Sequence, residues 1–327
     1  MLKHILKRLG IAVFVLLAFS FILYALMRLQ PDDFVSRQFD GLLANGQITQ
    51  EQVDHIRSIM GLDVNIFVGY RNWLWAMVRG DFGFSWAFQK DVTTVITDYM
   101  WLSFIIAFIA FIISSAIAVP MGIRAAVKQY SKFDYATTAL VMMGISFPSF
   151  FFSGLIIRVL SVQFGWFPIQ GLNDPTMPID ASQLTRMVDT AWHLVLPITV
   201  MVVLGIGGLM RYTRTNTLEV LRSDFIRTAR AKGLGEGSVI YKHAFKNTGI
   251  PLATMMAGIL PGLFAGALII EQIFALPGIG QRAFTALERG DIPLVMGYNM
   301  FIAVLSVLGI LLSDIMYVIV DPRVKMN

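Results

Sequence analysis

Uncharged apolar runs recur along this chain at the length of a lipid bilayer. Leu9–Met27 carries no formal charge, and five further runs follow at Tyr99–Ile123, Tyr135–Ile157, Thr190–Met210, Thr248–Ile270 and Ile292–Ser313. Those five are 21 to 25 residues long, and about 20 helical residues suffice to cross a hydrocarbon core of ~30 Å. Six transmembrane helices are therefore predicted, in an all-α integral membrane protein with both termini on one side. Orientation follows from the short loops, which hold their Lys and Arg on the cytoplasmic side. Lys3, Lys7 and Arg8 precede the first run; Arg124, Lys128 and Lys132 follow the second; eight Lys/Arg residues lie from Arg211 to Lys246; Arg323 and Lys325 close the chain. The opposite short loops offer Arg186, Arg282 and Arg289. Both termini are expected to be cytoplasmic. The first run ends in Leu26-Met27-Arg28-Leu29, which is no small-residue cleavage site, so it reads as a retained span.

Between the first two runs the pattern turns polar and acidic. Asp32, Asp33, Asp40, Glu51, Asp54, Asp63, Asp81, Asp91 and Asp98 outnumber the basic residues there, as an external loop would have it. Thr49 and Gln52 form a capping-box pattern ahead of Val53, Ile56, Ile59 and Met60, with Gly61 as the stop. A second amphipathic helix is expected over Ile66–Val78, where Tyr70, Trp73 and Trp75 suit the headgroup level or the surface of an external partner. The organisation expected is a cytoplasmic segment and first span at 1–29, an external loop at 30–98, and a five-helix core at 99–327 with a cytoplasmic loop at 211–247.

Composition agrees and narrows the chemistry. Of 327 residues, 56% are hydrophobic and 14% charged, against about a quarter charged in soluble domains. Mean hydropathy is +0.67. The net charge of +5 follows from basic cytoplasmic loops and gives no reason to expect nucleic acid. Zero cysteines exclude disulfides and thiolate metal sites, and four scattered histidines form no HxxxH pair. There is no GxxxxGK[ST] phosphate cradle, no HExxH and no nucleophile elbow.

A few residues stand out within or beside the spans. Pro120, Pro148, Pro197, Pro251 and Pro261 permit bends, and Gly205, Gly207, Gly208, Gly258, Gly262 and Gly266 permit close helix approach. Arg158, Glu271 and Asp314 are charges where insertion into a bilayer centre costs ~2.5–3.5 kcal/mol. Arg158 can snorkel to the interface, and Asp314 can pair with a basic residue of the loops. Glu271 either organises the Pro277-Gly278 turn or faces a pathway. In the basic loop, DFIRTARAKGL can form a helix of eight residues, about 12 Å long at 1.5 Å per residue. Asp224 can cap its start and Gly233 its end. Phe225, Ile226 and Ala229 fall on one face, with Arg227, Arg230 and Lys232 elsewhere. It reads either as a positive-inside loop or as a helix held by another protein.

Four separated stretches then carry a resemblance over essentially the whole chain. They are MLKHILKRL with LMRLQPDD; MGLDVN with WLWAMVRGDFGFSW; MRYTRTNTLEVLRSDFIRTARAKGLGE; and EQIFALPGIGQ with SDIMYVIVDPR. The chain resembles the permease subunits of ATP-binding-cassette importers for dipeptides, oligopeptides and nickel. The resemblance implies type I importer permease architecture in a bacterial plasma (inner) membrane. It implies a half-channel paired with a second, homologous permease subunit, two ABC ATPase subunits, and an extracellular or periplasmic substrate-binding protein. On that reading the chain is no enzyme and holds no cofactor, ATP and Mg residing on the ATPase subunits.

It also implies ATPase-coupling roles for Asp224, Phe225, Ile226, Arg227, Ala229, Arg230 and Gly233. Phe225, Ile226 and Ala229 are expected to fill an ATPase groove while Arg227 and Arg230 align it. Glu271, Pro277, Gly278, Asp314 and Asp321 become structural or pathway candidates. Coupling motifs often read Glu-Ala-Ala followed by a glycine; Arg227-Thr228-Ala229 and Gly233 stand here, without the acid or the Ile-x-Leu-Pro tail. Peptides are the expected cargo, with nickel chelates or another small solute as the alternative. A self-sufficient secondary transporter would show inverted repeats or several midplane acids, and the sequence has neither.

Overall fold

In the computed structural model, residues 2–29, 39, 41, 43–59, 63–245, 247–249, 252, 255 and 258–320 are described. Asp32, Asp33, Asp40, Met60, Gly61, Lys246, Pro251, Asp321, Arg323 and Lys325 lie outside them, as do the side chains of Lys3, Ile56 and Ile59. The chain divides into two compact units. One runs to Trp101 and includes Arg282–Leu308; the other is Leu102–Gln281 with the residues from Gly309.

The first unit begins with α1 (Leu2–Arg28), the expected first span. Two amphipathic helices follow, α2 (Gln50–Ile59) and α3 (Ile66–Val78). The capping box of α2 is reciprocal: the Gln52 N–H donates to the Thr49 hydroxyl (3.3 Å), and the Thr49 N–H donates to Gln52 Oε1 (2.9 Å). Asn65 caps α3 by accepting from the Phe67 N–H. Of the three α3 aromatics expected at the headgroup level, Tyr70 and Trp73 turn towards α1. Tyr70 lies 5.2 Å from the Phe21 ring and Trp73 5.8 Å from the Tyr24 ring, while Trp75 stays 60% exposed. A short hairpin, β1 (Phe84–Ser85) against β2 (Lys90–Asp91), is antiparallel with Phe84 opposite Asp91.

The long helix α4 (Val92–Val127) carries the chain into the second unit. At 36 residues it is about 54 Å long, so it outreaches the bilayer, and Pro120 lies inside it without ending it. The third apolar run was expected as one span and is instead α5 (Lys132–Ser146) and α6 (Ser149–Ile156), the latter continuing as a π-helix over Ile157–Gln163. The two limbs meet at 100°. Pro148 supplies the cause: it has no N–H for the ladder, and it forces Phe147 into extended geometry (φ −80°, ψ 128°). Arg158 is exposed on the π-helical limb.

Next come α7 (Gln183–Leu221), α8 (Asp224–Ala231) and a helical turn α9 (Glu236–Ser238) that runs into a π-helix at Val239–Ala244. The expected span Thr248–Ile270 is not one helix. Its described residues include α10 (Leu260–Phe264) and the start of α11 (Leu268–Ile273), separated by Gly266 at φ +78°. Last are α12 (Ile279–Glu288) and α13 (Ile292–Val320), which holds the half-buried Asp314. Among the described residues four helices are long and apolar enough to cross a membrane, or five with the bent pair counted once.

Packing in the second unit relies on close approach, because lipid offers no hydrophobic drive for helices to associate. Buried Leu194, Leu196 and Val200 of α7 cluster with Ile106 of α4 and with Ile270 and Phe274 at the end of α11. Where α5 meets α7, a Cβ on Gly207 would lie 2.4 Å from Ile145 Cγ1. Gly207→Val should therefore cost about 1–3 kcal/mol through overpacking. Gly208→Val, with no neighbouring atom within 4 Å, is the control for helix propensity. The thermal-unfolding midpoint in detergent should fall further for the first; equal midpoints would refute this packing.

Candidate functional site

The basic loop is built as a continuation of α7. That helix has 39 residues, so it runs about 16 Å past Met210, the end of the predicted apolar run. After the turn at Arg222, the helix α8 has the expected eight residues, but its boundary differs from the sequence reading. Ser223 occupies the N-cap position, and its hydroxyl donates to the Val220 carbonyl rather than accepting from α8. Asp224 is the first helical residue, where a carboxylate favours the positive end of the helix dipole. Gly233 ends the helix as expected, in the left-handed region at φ +75°, and its N–H donates to the Arg230 carbonyl.

The apolar face is the main correction. Ile226 is fully buried and Ala229 is 6% exposed, packed with Val239 and Ala244 of the following π-helix and with Val220 and Leu221 of α7. They therefore seat α8 on its own chain and are not free to fill a partner's groove. Burying Ile226 alone contributes about 1.5–3 kcal/mol. Phe225 sits about 70° off the centre of that stripe at 100° per residue, and it stays 47% exposed. Arg230 is spoken for as well: Nε and Nη2 donate to the Glu236 carboxylate at 2.8 and 3.3 Å. Arg227 makes only a solvent-exposed 3.6 Å contact with Asp224, of the kind worth ~0–1 kcal/mol. The outward surface of α8 thus presents Phe225, Arg227, Thr228 and Lys232.

The second predicted cluster closes around Glu271. This carboxylate is 2% exposed, and its oxygens are taken up by the surrounding turn. Oε1 accepts from the Ser103 hydroxyl (2.7 Å) and the Ala267 N–H (3.1 Å); Oε2 accepts from the Gln281 N–H (2.9 Å). Ser103 in turn accepts from the Ile279 N–H at 2.9 Å. Half-buried Pro277 is the middle of a tight turn in which the Gly278 N–H donates to the Leu276 carbonyl. A Cβ on Gly278 would stand 2.4 Å from the Glu271 carboxyl carbon, and one on Gly280 2.9 Å from Oε2. Of the two roles open to Glu271, the geometry assigns the organisation of the turn. Asp314 stands apart in α13, and Asp321 lies outside the described residues.

Two buried carboxylates escaped the sequence reading. Asp134, 2% exposed, receives a forked pair of hydrogen bonds from Arg214 at 2.7 and 2.8 Å. Asp291, 1% exposed, accepts from the Ser85 hydroxyl, the Ala87 N–H and the Leu294 N–H, so it pins the hairpin to the start of α13. Each had a local signal: Ser131-x-x-Asp134 at a helix start, and Asp291 one residue before Ile292-Pro293. The partners, 80 and about 200 positions away, had none.

These landmarks bear comparison with known proteins. The profile of the family described as "Binding-protein-dependent transport system inner membrane component" matches residues 118–326, and that of its N-terminal region matches residues 1–107. The chain belongs to this family. It is a non-catalytic, multi-pass component of the inner membrane, in a system that works with a binding protein and ATPase partners. It is 33% identical over 326 residues to the "Oligopeptide transport system permease protein AppB" of Bacillus subtilis (strain 168), covering 99% of this chain and 100% of that one. It is 32% identical over 342 residues to the "Dipeptide transport system permease protein DppB" of Escherichia coli (strain K12), covering 99% of each. A putative peptide transport system permease protein of Brucella abortus (strain 2308) is 36% identical over 323 residues, 98% of each chain.

Within this family member the Glu271 turn makes a direct prediction. In Glu271→Gln the amide nitrogen must face a backbone N–H or the Ser103 hydroxyl, which leaves buried donors unmatched at about 1–3 kcal/mol. The thermal midpoint of the purified chain in detergent should fall, and fall further in Gly278→Ala. An unchanged midpoint for Glu271→Gln would mean that the carboxylate is not holding the turn.

Proposed function

We propose that this chain is the transmembrane permease subunit of an ATP-driven importer and forms half of a translocation pathway for peptides delivered by an external binding protein. The observation that carries this reading is α8. It is a short helix rigidly seated by Ile226 and Ala229 at the end of α7, with Phe225 and Arg227 left outward. A stiff projection of this kind suits an ATPase groove, which can move it as a rigid body. The chain carries no phosphate cradle, so the energy source lies in partner subunits that hold ATP and Mg.

The assembly pairs it with a second, homologous permease subunit and two ABC ATPase subunits. Six crossings with cytoplasmic termini are supported by the distribution of Lys and Arg, and on this reading α8 faces the ATPase subunits. Peptides are favoured over nickel chelates by the names of the relatives. A secondary transporter working alone has no such observation in its favour.

Coexpression with the ATPase subunits, the second permease and the binding protein tests the whole reading. The four membrane-associated subunits should copurify, and ATP-dependent uptake of labelled di- and oligopeptides into proteoliposomes should require the binding protein. Peptide uptake by the solitary chain would refute it. Phe225→Asp with Arg227→Glu should lower ATPase copurification at least about tenfold, a loss of ~1.4 kcal/mol, with little change in the thermal midpoint because both side chains are exposed.

A further inference from the structure

The Asp134 carboxylate joins two helices that are not neighbours in the chain. Oδ1 accepts from Arg214 Nε at 2.7 Å, and Oδ2 accepts from Nη2 at 2.8 Å and from the Tyr130 N–H at 2.9 Å. Asp134 lies in the first turn of α5, whose cap is the Ser131 hydroxyl accepting from the Asp134 N–H. Tyr130 stands in the left-handed region at φ +62°, so the turn from α4 into α5 is held in a defined, sharp conformation. Arg214 lies on α7 seven residues before Leu221, about 10 Å along the axis from the base on which α8 is seated.

Further along, α5 and α7 meet through apolar contacts, Val141 with Leu209 and Ile145 against Gly207. Such surfaces allow two helices to slide or tilt. A forked, shielded arginine–carboxylate pair does not, because its geometry is planar and losing it strands a buried charge. Beyond Ser146 the foot of α5 leads to the 100° bend at Pro148 and on into α6.

We infer that the Asp134–Arg214 pair is the strut that makes α5 follow α7 when α8 is displaced, so that the stroke of the ATPase is delivered to the bent helix pair α5–α6. Asp134 and Arg214 are positioning residues on this account, and the inference rests on α8 being the coupling helix.

The test uses the complete complex in proteoliposomes with binding protein and peptide, reading ATP hydrolysed per peptide imported. Asp134→Asn and Arg214→Gln should each raise that ratio about tenfold, within the range of measured coupling energies, while ATPase subunits still copurify. Arg214→Lys, which keeps the charge but not the fork, should fall between. The double variant should be no worse than either single, because one interaction is removed in all three. An unchanged ratio, additive effects, or loss of assembly in the single variants would overturn the strut and leave the pair a folding contact. If Phe225→Asp with Arg227→Glu retains full ATPase binding, it is the coupling reading that fails, independently of the pair.

Discussion

Where a helix breaks inside or beside a membrane, the freed backbone N–H groups cannot turn to water and must find a partner within the protein. In this chain buried carboxylates meet that demand. Glu271 accepts from the Ala267 and Gln281 N–H groups on either side of the broken α11–α12 segment. Asp134 accepts from the Tyr130 N–H at the α4–α5 turn, and Asp291 from the Ala87 and Leu294 N–H groups beside the hairpin and α13. Each carboxylate also engages a side chain from a distant part of the sequence: Ser103, Arg214 and Ser85. One group thereby closes a local break and fixes its place in the tertiary structure.

This arrangement explains why charge and glycine occur together in the Pro-Gly turn. A carboxylate accepting three hydrogen bonds needs space on every side, and the glycines at 278 and 280 provide it. Pro277 then fixes the direction in which the chain leaves. Replacing any one of these residues disturbs the others, so the turn acts as a single rigid unit between α11 and α12. The loop that carries α8 achieves stiffness differently, by apolar burial of Ile226 and Ala229 against Val239, Ala244, Val220 and Leu221.

The local features were readable in the sequence. The Thr49–Gln52 capping box, the bounds of α3, the eight-residue length of α8 and the left-handed Gly233 all follow from spacing and cap chemistry. The features that failed depend on what lies opposite. Spacing alone leaves Ile226 and Ala229 free for an external groove, because their complement, Val239 and Ala244, reaches them only after the chain turns back through a π-helix. Apolar content showed a membrane run across Tyr135–Ile157 but not the 100° bend within it, although Pro148 marked its place. Nothing in the sequence ties Asp134 to Arg214, 80 positions away; only the fold, which brings them within 2.7 Å, gives them a joint role.

A machine with its energy source in another subunit needs a transmission that does not dissipate the stroke. Each apolar helix contact in lipid is permissive, since sliding one smooth surface over another costs little when both remain covered by hydrocarbon. Directional constraints must therefore come from polar contacts with fixed geometry. Along the path from α8 the structure has the buried seat of Ile226 and Ala229, the continuous backbone of α7 and the forked Asp134–Arg214 pair. The bend at Pro148 lies at the far end of α5, about 21 Å along the helix from Asp134, where the proline's missing N–H interrupts the ladder. On the coupling role proposed for α8, stiffness up to the bend and compliance at it would convert a push on that loop into the tilt of a membrane helix.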